Sequence, residues 1–213
     1  MAGAEHRHHH GGTVEQWAHL DEPDRDEWQR PGLVIAAAGL TDGHVVADVG
    51  AGTGYFEVHL SRAVGARGRV IALDVNPNLV EHMKRRFNDA GLNNVEARVL
   101  QHDDPGLERG SLDRVLVIDL WHHLHDRVGY GRKLRAALRR EGRLLVIDRD
   151  ADSPHAPPVE TRISVETVLR ELEAAGFSAR VLPQALPRQF MVEGTVRSAT
   201  PPEWRRARGG TCV

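Results

Sequence analysis

The sequence predicts an α/β fold: a doubly wound, seven-stranded, mostly parallel sheet with a C-terminal antiparallel hairpin and helices on both faces. Three observations predict it. Short apolar runs alternate with amphipathic stretches of helical period between residues 45 and 176. A glycine cluster follows the first apolar run at once. The last two apolar runs have no helix between them, so the second must return antiparallel to the first.

The elements follow in chain order. Val45-Val46-Ala47-Asp48-Val49 is apolar except for one carboxylate and reads as a buried parallel strand. Beyond the glycines, Phe56, Leu60, Ala63 and Val64 share one helical face, and Gly65 can end that helix. Arg69–Asp74 is a second buried strand closing on an acid, and Pro77 opens a helix with Leu79, Met83, Phe87 and Ala90 on one side and Gly91 as its stop. Strands follow at Val95–Leu100 and Leu112–Leu120, then a helix from about Arg127 to Leu138 with Tyr130, Leu134 and Leu138 four apart. Gly142–Asp148 is the fifth strand, Ser164 caps a helix bearing Val165, Val168, Leu169 and Leu172, and Phe177–Leu182 with Arg188–Thr195 form the terminal hairpin.

Composition narrows the function. The 213 residues carry a formal charge of −2, which argues against general nucleic-acid binding. A single cysteine, Cys212, rules out an internal disulfide or a thiolate metal cluster. No apolar run reaches the roughly 20 residues that span a bilayer, so no membrane association is expected. The first residues lack the apolar stretch of a signal peptide, and a cytoplasmic location is expected. Charge divides the chain into three. Residues 1–30 hold seven acids against three arginines and are expected to form a flexible N-terminus and a helical lid. Residues 31–196 form the near-neutral main domain, and residues 197–213, with four arginines against one acid, read as a disordered basic tail.

The first strand's exit, where ligands bind in open α/β sheets, reads Asp48-Val49-Gly50-Ala51-Gly52-Thr53-Gly54-Tyr55. G-x-G-x-G is one residue shorter than the dinucleotide fingerprint G-x-G-x-x-G. Asp74, 20 residues past Gly54, ends the next strand, where a carboxylate can accept hydrogen bonds from both hydroxyls of a ribose. The plainer alternative makes the glycines a strand-to-helix turn and Asp74 a helix N-cap.

These segments resemble the Rossmann-like (class I) S-adenosylmethionine-dependent methyltransferases. VADVGAGTGYF at 46–56 is similar to their first motif and VIALDVNP at 70–77 to their second. LDRVLVIDLWHHLHD at 112–126 resembles their fourth-strand stretch, EGRLLVID at 141–148 the fifth strand, and LEAAGF at 172–177 the entry to the sixth. The resemblance covers residues 35–196 and implies a seven-stranded sheet with its last strand reversed. It implies S-adenosyl-L-methionine as cofactor and S-adenosyl-L-homocysteine as product. Gly50, Ala51, Gly52 and Gly54, with Thr53 and Tyr55 in the same loop, would pass beneath the methionine part. Asp48 would approach its ammonium, Asp74 would hold the ribose, Val75 would pack on the adenine and Asn76 would lie beside the ribose. Where relatives place an Asp for the adenine amino group, this chain has Gln101-His102 followed by Asp103, so Gln101 and Asp103 both stand as partners. Asp119 and Leu120 would face the ammonium.

Methyl transfer from a sulfonium is an in-line displacement with a good leaving group, so the protein's task is mainly alignment. A base is needed only where the acceptor must lose a proton, and His122 or His123, after the fourth strand, is placed for it. Alternatively the two histidines cap the next helix or fill the wall under Trp121. His122, His123, His125 and Asp126 match no metal-ligand spacing, and no metal is expected. Trp17 and Trp28, large apolar groups in a charged stretch, are expected with Trp121 to line the lid and acceptor pocket; packing on the outer helices is the alternative. Asp21-Glu22-Pro23-Asp24 would open a short helix through Trp28-Gln29. The expected partner is a small-molecule methyl acceptor and no nucleic acid. The competing functions are a nicotinamide-dependent oxidoreductase and a cofactor-binding protein without catalysis.

Overall fold

A computed structural model of the chain describes residue 17 and residues 20–150, 161–183 and 186–196. The expectations for residues 1–16, the loop at 151–160 and the tail at 197–213 lie outside the described residues.

Seven strands form one sheet: β1 (Val45–Val49), β2 (Arg69–Asp74), β3 (Val95–Val99), β4 (Leu112–Ile118), β5 (Leu138–Arg149), β6 (Phe177–Val181) and β7 (Gln189–Val196). Their order is β3-β2-β1-β4-β5-β7-β6. β1 pairs in parallel with β2 on one side and β4 on the other, so the chain's winding reverses between β1 and β4. β7 lies antiparallel between β5 and β6, which makes β6 the outer strand of the terminal hairpin.

The two-residue period of β1 divides the core. Val46 faces the layer built from α2 (Pro31–Ala38) and α3 (Tyr55–Val64), packing with Val34, Phe56, Leu60 and Val64. Ala47 and Val49 face α5 (Arg127–Ala137) and α6 (Val165–Ala174), where Leu134, Val168 and Leu172 are fully buried. α4 (Pro77–Asp89) buries Val80, Met83 and Phe87 against Ala72 and Ala97. Ser164 caps α6 by accepting from the Thr167 N–H at 3.2 Å.

Four local features differ from the sequence expectation. β5 begins at Leu138, four residues early, with a register shift between its pairings Leu112–Leu138 and Arg114–Arg143. The fourth strand ends at Ile118, and Trp121–His123 form a separate 3₁₀ turn. α2, which no periodicity announced, starts with Pro31 at its first position. The short N-terminal helix, α1, begins only at Arg25 and ends at Gln29; Asp24 precedes it without making a side-chain cap.

Candidate functional site

The exits of β1, β2, β3, β4 and β5 share one edge of the sheet, and every candidate cofactor residue lies there. Gly50, Gly52 and Gly54 have φ of 85°, 60° and 83°, conformations that side-chain-bearing residues rarely adopt. Close approach matters as much as φ. A Cβ on Gly50 would stand 2.9 Å from Leu120 Cδ2, and one on Gly54 would stand 2.7 Å from the Phe87 ring. The loop is therefore pressed on Leu120 at one end and on α4 at the other. Gly54→Ala should lower unfolding free energy by about 1–3 kcal/mol from backbone strain, with the overlap at buried Phe87 adding to it. Urea denaturation checks this, and unchanged stability would show that the loop tolerates a side chain.

Asp74 holds the loop from the neighbouring strand. Its carboxylate accepts from the Gly52 N–H at 3.0 Å and the Asn76 N–H at 2.9 Å. Burial pushes its pKa up, against these backbone donors, which favour the charged form. The N-cap of α4 is Asn76, which accepts from Asn78 N–H at 2.9 Å, so the N-cap alternative for Asp74 is answered. Asn76 Nδ2 is buried and has no hydrogen-bond partner among the described residues, leaving a donor beside Asp74. Val75 is half-buried against the core.

Gln101, His102 and Asp103 form an exposed tight turn after β3, closed by paired backbone hydrogen bonds between Gln101 and Asp104 at 3.2 Å. Leu100 N–H donates to the Asp74 carbonyl at 3.0 Å, which keeps this turn beside the second strand's exit.

The N-terminal segment lies directly against the glycine loop. Leu20 Cδ1 is 3.2 Å from the position of a Cβ on Gly52. Thr53 Oγ1 donates to Asp21 at 3.0 Å, and Arg86 of α4 pairs with the same carboxylate at 2.9 Å. Tyr55 donates its hydroxyl to Asp26, and the Arg25 guanidinium stacks 4.0 Å above the Tyr55 ring. Arg25 also bonds Gln29 and the Leu20 carbonyl. Trp28 is buried, with the guanidinium groups of Arg149 and Arg188 5.3 and 5.5 Å from its ring. Trp17 is half-buried.

Trp121 corrects an expectation. It was placed among the lid and acceptor-pocket residues, but it is fully buried under α5 and α6 and donates Nε1–H to Glu171 at 2.9 Å. Its two neighbours fare differently. His123 is exposed, its ring 4.0 Å from that of His122. His122 is buried, with Nδ1 2.7 Å from Asp148 Oδ1 and its backbone N–H donating to Asp148 Oδ2 at 3.1 Å. An ionised carboxylate only accepts, so Nδ1 is the donor in this pair, the tautomer of a neutral imidazole whose lone pair lies on Nε2. Neither histidine is needed to cap α5, because Asp126 does so, accepting from Gly129 N–H at 2.8 Å.

Asp119, at the switch point, has φ of 51°, a strained value for a residue with a side chain. Gln189 and Arg149 hold its carboxylate at 2.8 and 3.2 Å. Burial pushes its pKa up, with Arg149 opposing.

Three functional candidates escaped the sequence reading: Asp148, Glu57 and Arg25. Asp148 ends β5 and is fully buried. Glu57, in the first turn of α3, is fully buried beside Asp48. An acid closing a buried strand was the available signal for Asp148, the same one that marked Asp74.

A glycine loop tied to an acid on the adjacent strand, at the point where the winding reverses, defines a doubly wound α/β protein with a nucleoside-type cofactor crevice. Residues 46–142 match the family model of a methyltransferase domain. Aklanonic acid methyltransferase DauC of Streptomyces sp. (strain C5) is 27% identical over 151 residues, 70% of this chain and 66% of that protein. A protein-L-isoaspartate O-methyltransferase of Methanococcus maripaludis is 29% identical over 112 residues, 49% of this chain and 53% of that protein. The chain thus spans between about half and two-thirds of these relatives' length. The crystal structure of a SAM-dependent methyltransferase from Aquifex aeolicus superposes with a TM-score of 0.81 at 28% identity, over 88% of this chain and all of that one. Residues 46–142 thus carry a methyltransferase domain, and the chain is similar to S-adenosylmethionine-dependent methyltransferases. The residues present fit that cofactor. Gly50 and Gly52 give the loop a backbone surface without side chains of its own, and among the described residues Asp48 Oδ1 and Asn76 Nδ2 are buried polar atoms without a geometric hydrogen-bond partner.

Proposed function

We propose that this protein methylates a small-molecule acceptor, and that acceptors losing a proton are served by His122. The observation that carries the proposal is the His122–Asp148 pair, seated two residues past Leu120, which itself packs on the glycine loop. S-adenosylmethionine, when bound, supplies an electrophilic methyl group on a neutral leaving thioether. Asp74 would hold the ribose hydroxyls, Asn76 Nδ2 would donate beside it, and Val75 would lie under the adenine. Gln101 or Asp103 would meet the adenine amino group. Gly50, Ala51, Gly52 and Gly54 let backbone pass close to the methionine part, while Asp48, with the Asp119–Leu120 backbone, would receive the ammonium.

On the acceptor side, Asp148 fixes the ring orientation and tautomer of His122, leaving Nε2 to take the acceptor's proton as the new bond forms. Residues 20–30 would act as a lid, since Leu20, Asp21 and Asp26 already contact Gly52, Thr53 and Tyr55. Trp28, beside Arg149 and Arg188, would line the acceptor pocket beneath that lid. Exclusion of water around the reacting atoms is the lid's chemical contribution.

The relatives' named acceptors differ in kind, from aklanonic acid to protein isoaspartate and tRNA. The near-neutral charge supports a small molecule over a polyanion, which demands a basic face for its phosphates. No helix among the described residues is long and apolar enough to cross a membrane. A cytoplasmic site of action fits a chain whose single cysteine gives it no disulfide framework. Screening acceptors by release of homocysteine from the product should show turnover with small hydroxyl- or enol-bearing compounds. Turnover with tRNA or protein alone would contradict the proposal.

A further inference from the structure

Asp48 and Glu57 form a buried carboxyl pair that the described reaction does not use as a pair. Asp48 shares a face of β1 with Val46, toward α3, and Glu57 rises from the first turn of that helix. Both are fully buried. Among the described residues no other side chain donates to Asp48 Oδ1 or to either Glu57 carboxyl oxygen; each carboxyl's side-chain partner is the other, with the Glu57 backbone N–H beside them. Two ionised carboxylates side by side are strongly disfavoured at such a site, because burial removes the solvent screening that would separate like charges. The pair must therefore keep at least one proton, which Glu57 donates toward Asp48.

We propose that Glu57 is a positioning residue that holds this proton, and that arrival of the cofactor's ammonium at Asp48 expels a second proton from the pair. The proposal rests on the cofactor assignment above. In the ligand-free protein at low pH both carboxyls are protonated. Loss of the Asp48 proton to solvent leaves one carboxylate, which then accepts an N–H of the ammonium; Glu57 keeps its own proton and donates it to the other side of Asp48. One proton leaves and no covalent bond other than that O–H is broken.

The neighbouring charges agree with this scheme. Burial pushes Asp48 up to about 7 and raises Glu57 well above the usual carboxylate range. Arg25 of α1 favours the charged form of both, whereas Asp74 at the end of β2 opposes charge on Asp48. Arg25 is itself shared with Asp21, Tyr55 and Asp119, so it does not neutralise the pair alone. An incoming cation supplies what the ligand-free site lacks. Because binding favours the deprotonated carboxyl and the protonated amine, affinity should rise with pH up to about 7, with a slope approaching tenfold per pH unit on the acid side, and fall again above the amine's own pKa of about 8.

The test is calorimetric titration of the full chain with S-adenosylmethionine at pH 6, 7 and 8, each in two buffers of different ionisation enthalpy. Wild type should release close to one proton per cofactor at pH 6, and at pH 8 should take up about half a proton as the cofactor's amine, with a pKa of about 8, binds as the ammonium. Asp48→Asn should lose that pH-dependent release, which also separates it from the cofactor's own titration. 5′-Methylthioadenosine, which lacks the ammonium, should bind without releasing a proton. Glu57→Gln keeps an N–H donor and should leave the midpoint at or below that of wild type, whereas Glu57→Leu should move it to higher pH; a merely structural Glu57 would change melting temperature in both and the midpoint in neither. Cofactor binding that is pH-independent and releases no proton overturns the proposal alone. Failure of the folded protein to bind S-adenosylmethionine at any pH overturns the cofactor assignment, and the proposal with it.

Discussion

His122→Ala should lower kcat by about 10²- to 10⁴-fold, the range lost with a general base, while leaving the dissociation constant for S-adenosylmethionine nearly unchanged. The expectation follows from geometry. A buried carboxylate, Asp148, fixes the His122 ring through Nδ1 at 2.7 Å and the His122 backbone N–H at 3.1 Å. Asp148 also accepts from Arg149 N–H at 2.8 Å, so its hydrogen-bond partners His122 and Arg149 are all donors to it. Asp148→Asn would turn an amide NH₂ toward one of those donors and force the imidazole to rotate or change tautomer. It should therefore reproduce much of the loss without removing the base. The loss should be large for weakly acidic acceptors and small for those already ionised at the assay pH, because only the former need a base. A His122→Ala enzyme with unchanged turnover on a weakly acidic acceptor would leave His123 or solvent as the proton acceptor.

Asp74→Ala should weaken S-adenosylmethionine binding by about 1–3 kcal/mol, through loss of hydrogen bonds from the ribose to a charged acceptor. That is roughly 5- to 150-fold in the dissociation constant. The same substitution strips an acceptor from the Gly52 and Asn76 N–H groups, so unfolding free energy should also fall by about 1–3 kcal/mol. The two effects separate with Asp74→Asn, whose remaining carbonyl can still accept from the loop but presents only one acceptor atom. Calorimetry and urea unfolding on both variants check the pair of effects. Lowered stability with unchanged affinity would reduce Asp74 to a brace for the loop.

Periodicity made the sheet legible where a strand was apolar and a helix amphipathic, and it failed where neither held. β5 starts at Leu138, but residues 139–142 read Arg-Arg-Glu-Gly, and Glu141 sits at φ of 70°, so no alternation marks the early part. α2 is short and apolar nearly all round, which leaves its inward face undefined in sequence. The cofactor loop was legible because its glycines and Asp74 are local features with fixed spacing. Asp148 was not, because it meets His122 across 26 residues and only the parallel pairing of β4 with β5 brings them together. Glu57 reads as an ordinary polar position near the start of a helix; that it is buried against Asp48 depends on how α3 lies on β1. Trp121 shows the opposite error: its place beside two histidines suggested the acceptor pocket, while the 3₁₀ turn directs the indole into the core.

The central claim is that the crevice between β1 and β4 binds S-adenosylmethionine. Calorimetric titration of the purified chain with S-adenosylmethionine, S-adenosylhomocysteine and NADH tests it most directly. The first two should bind with one-to-one stoichiometry and the third should give no saturable heat, because the G-x-G-x-G loop is one residue short of the dinucleotide fingerprint. Binding of NADH without binding of S-adenosylmethionine would contradict it.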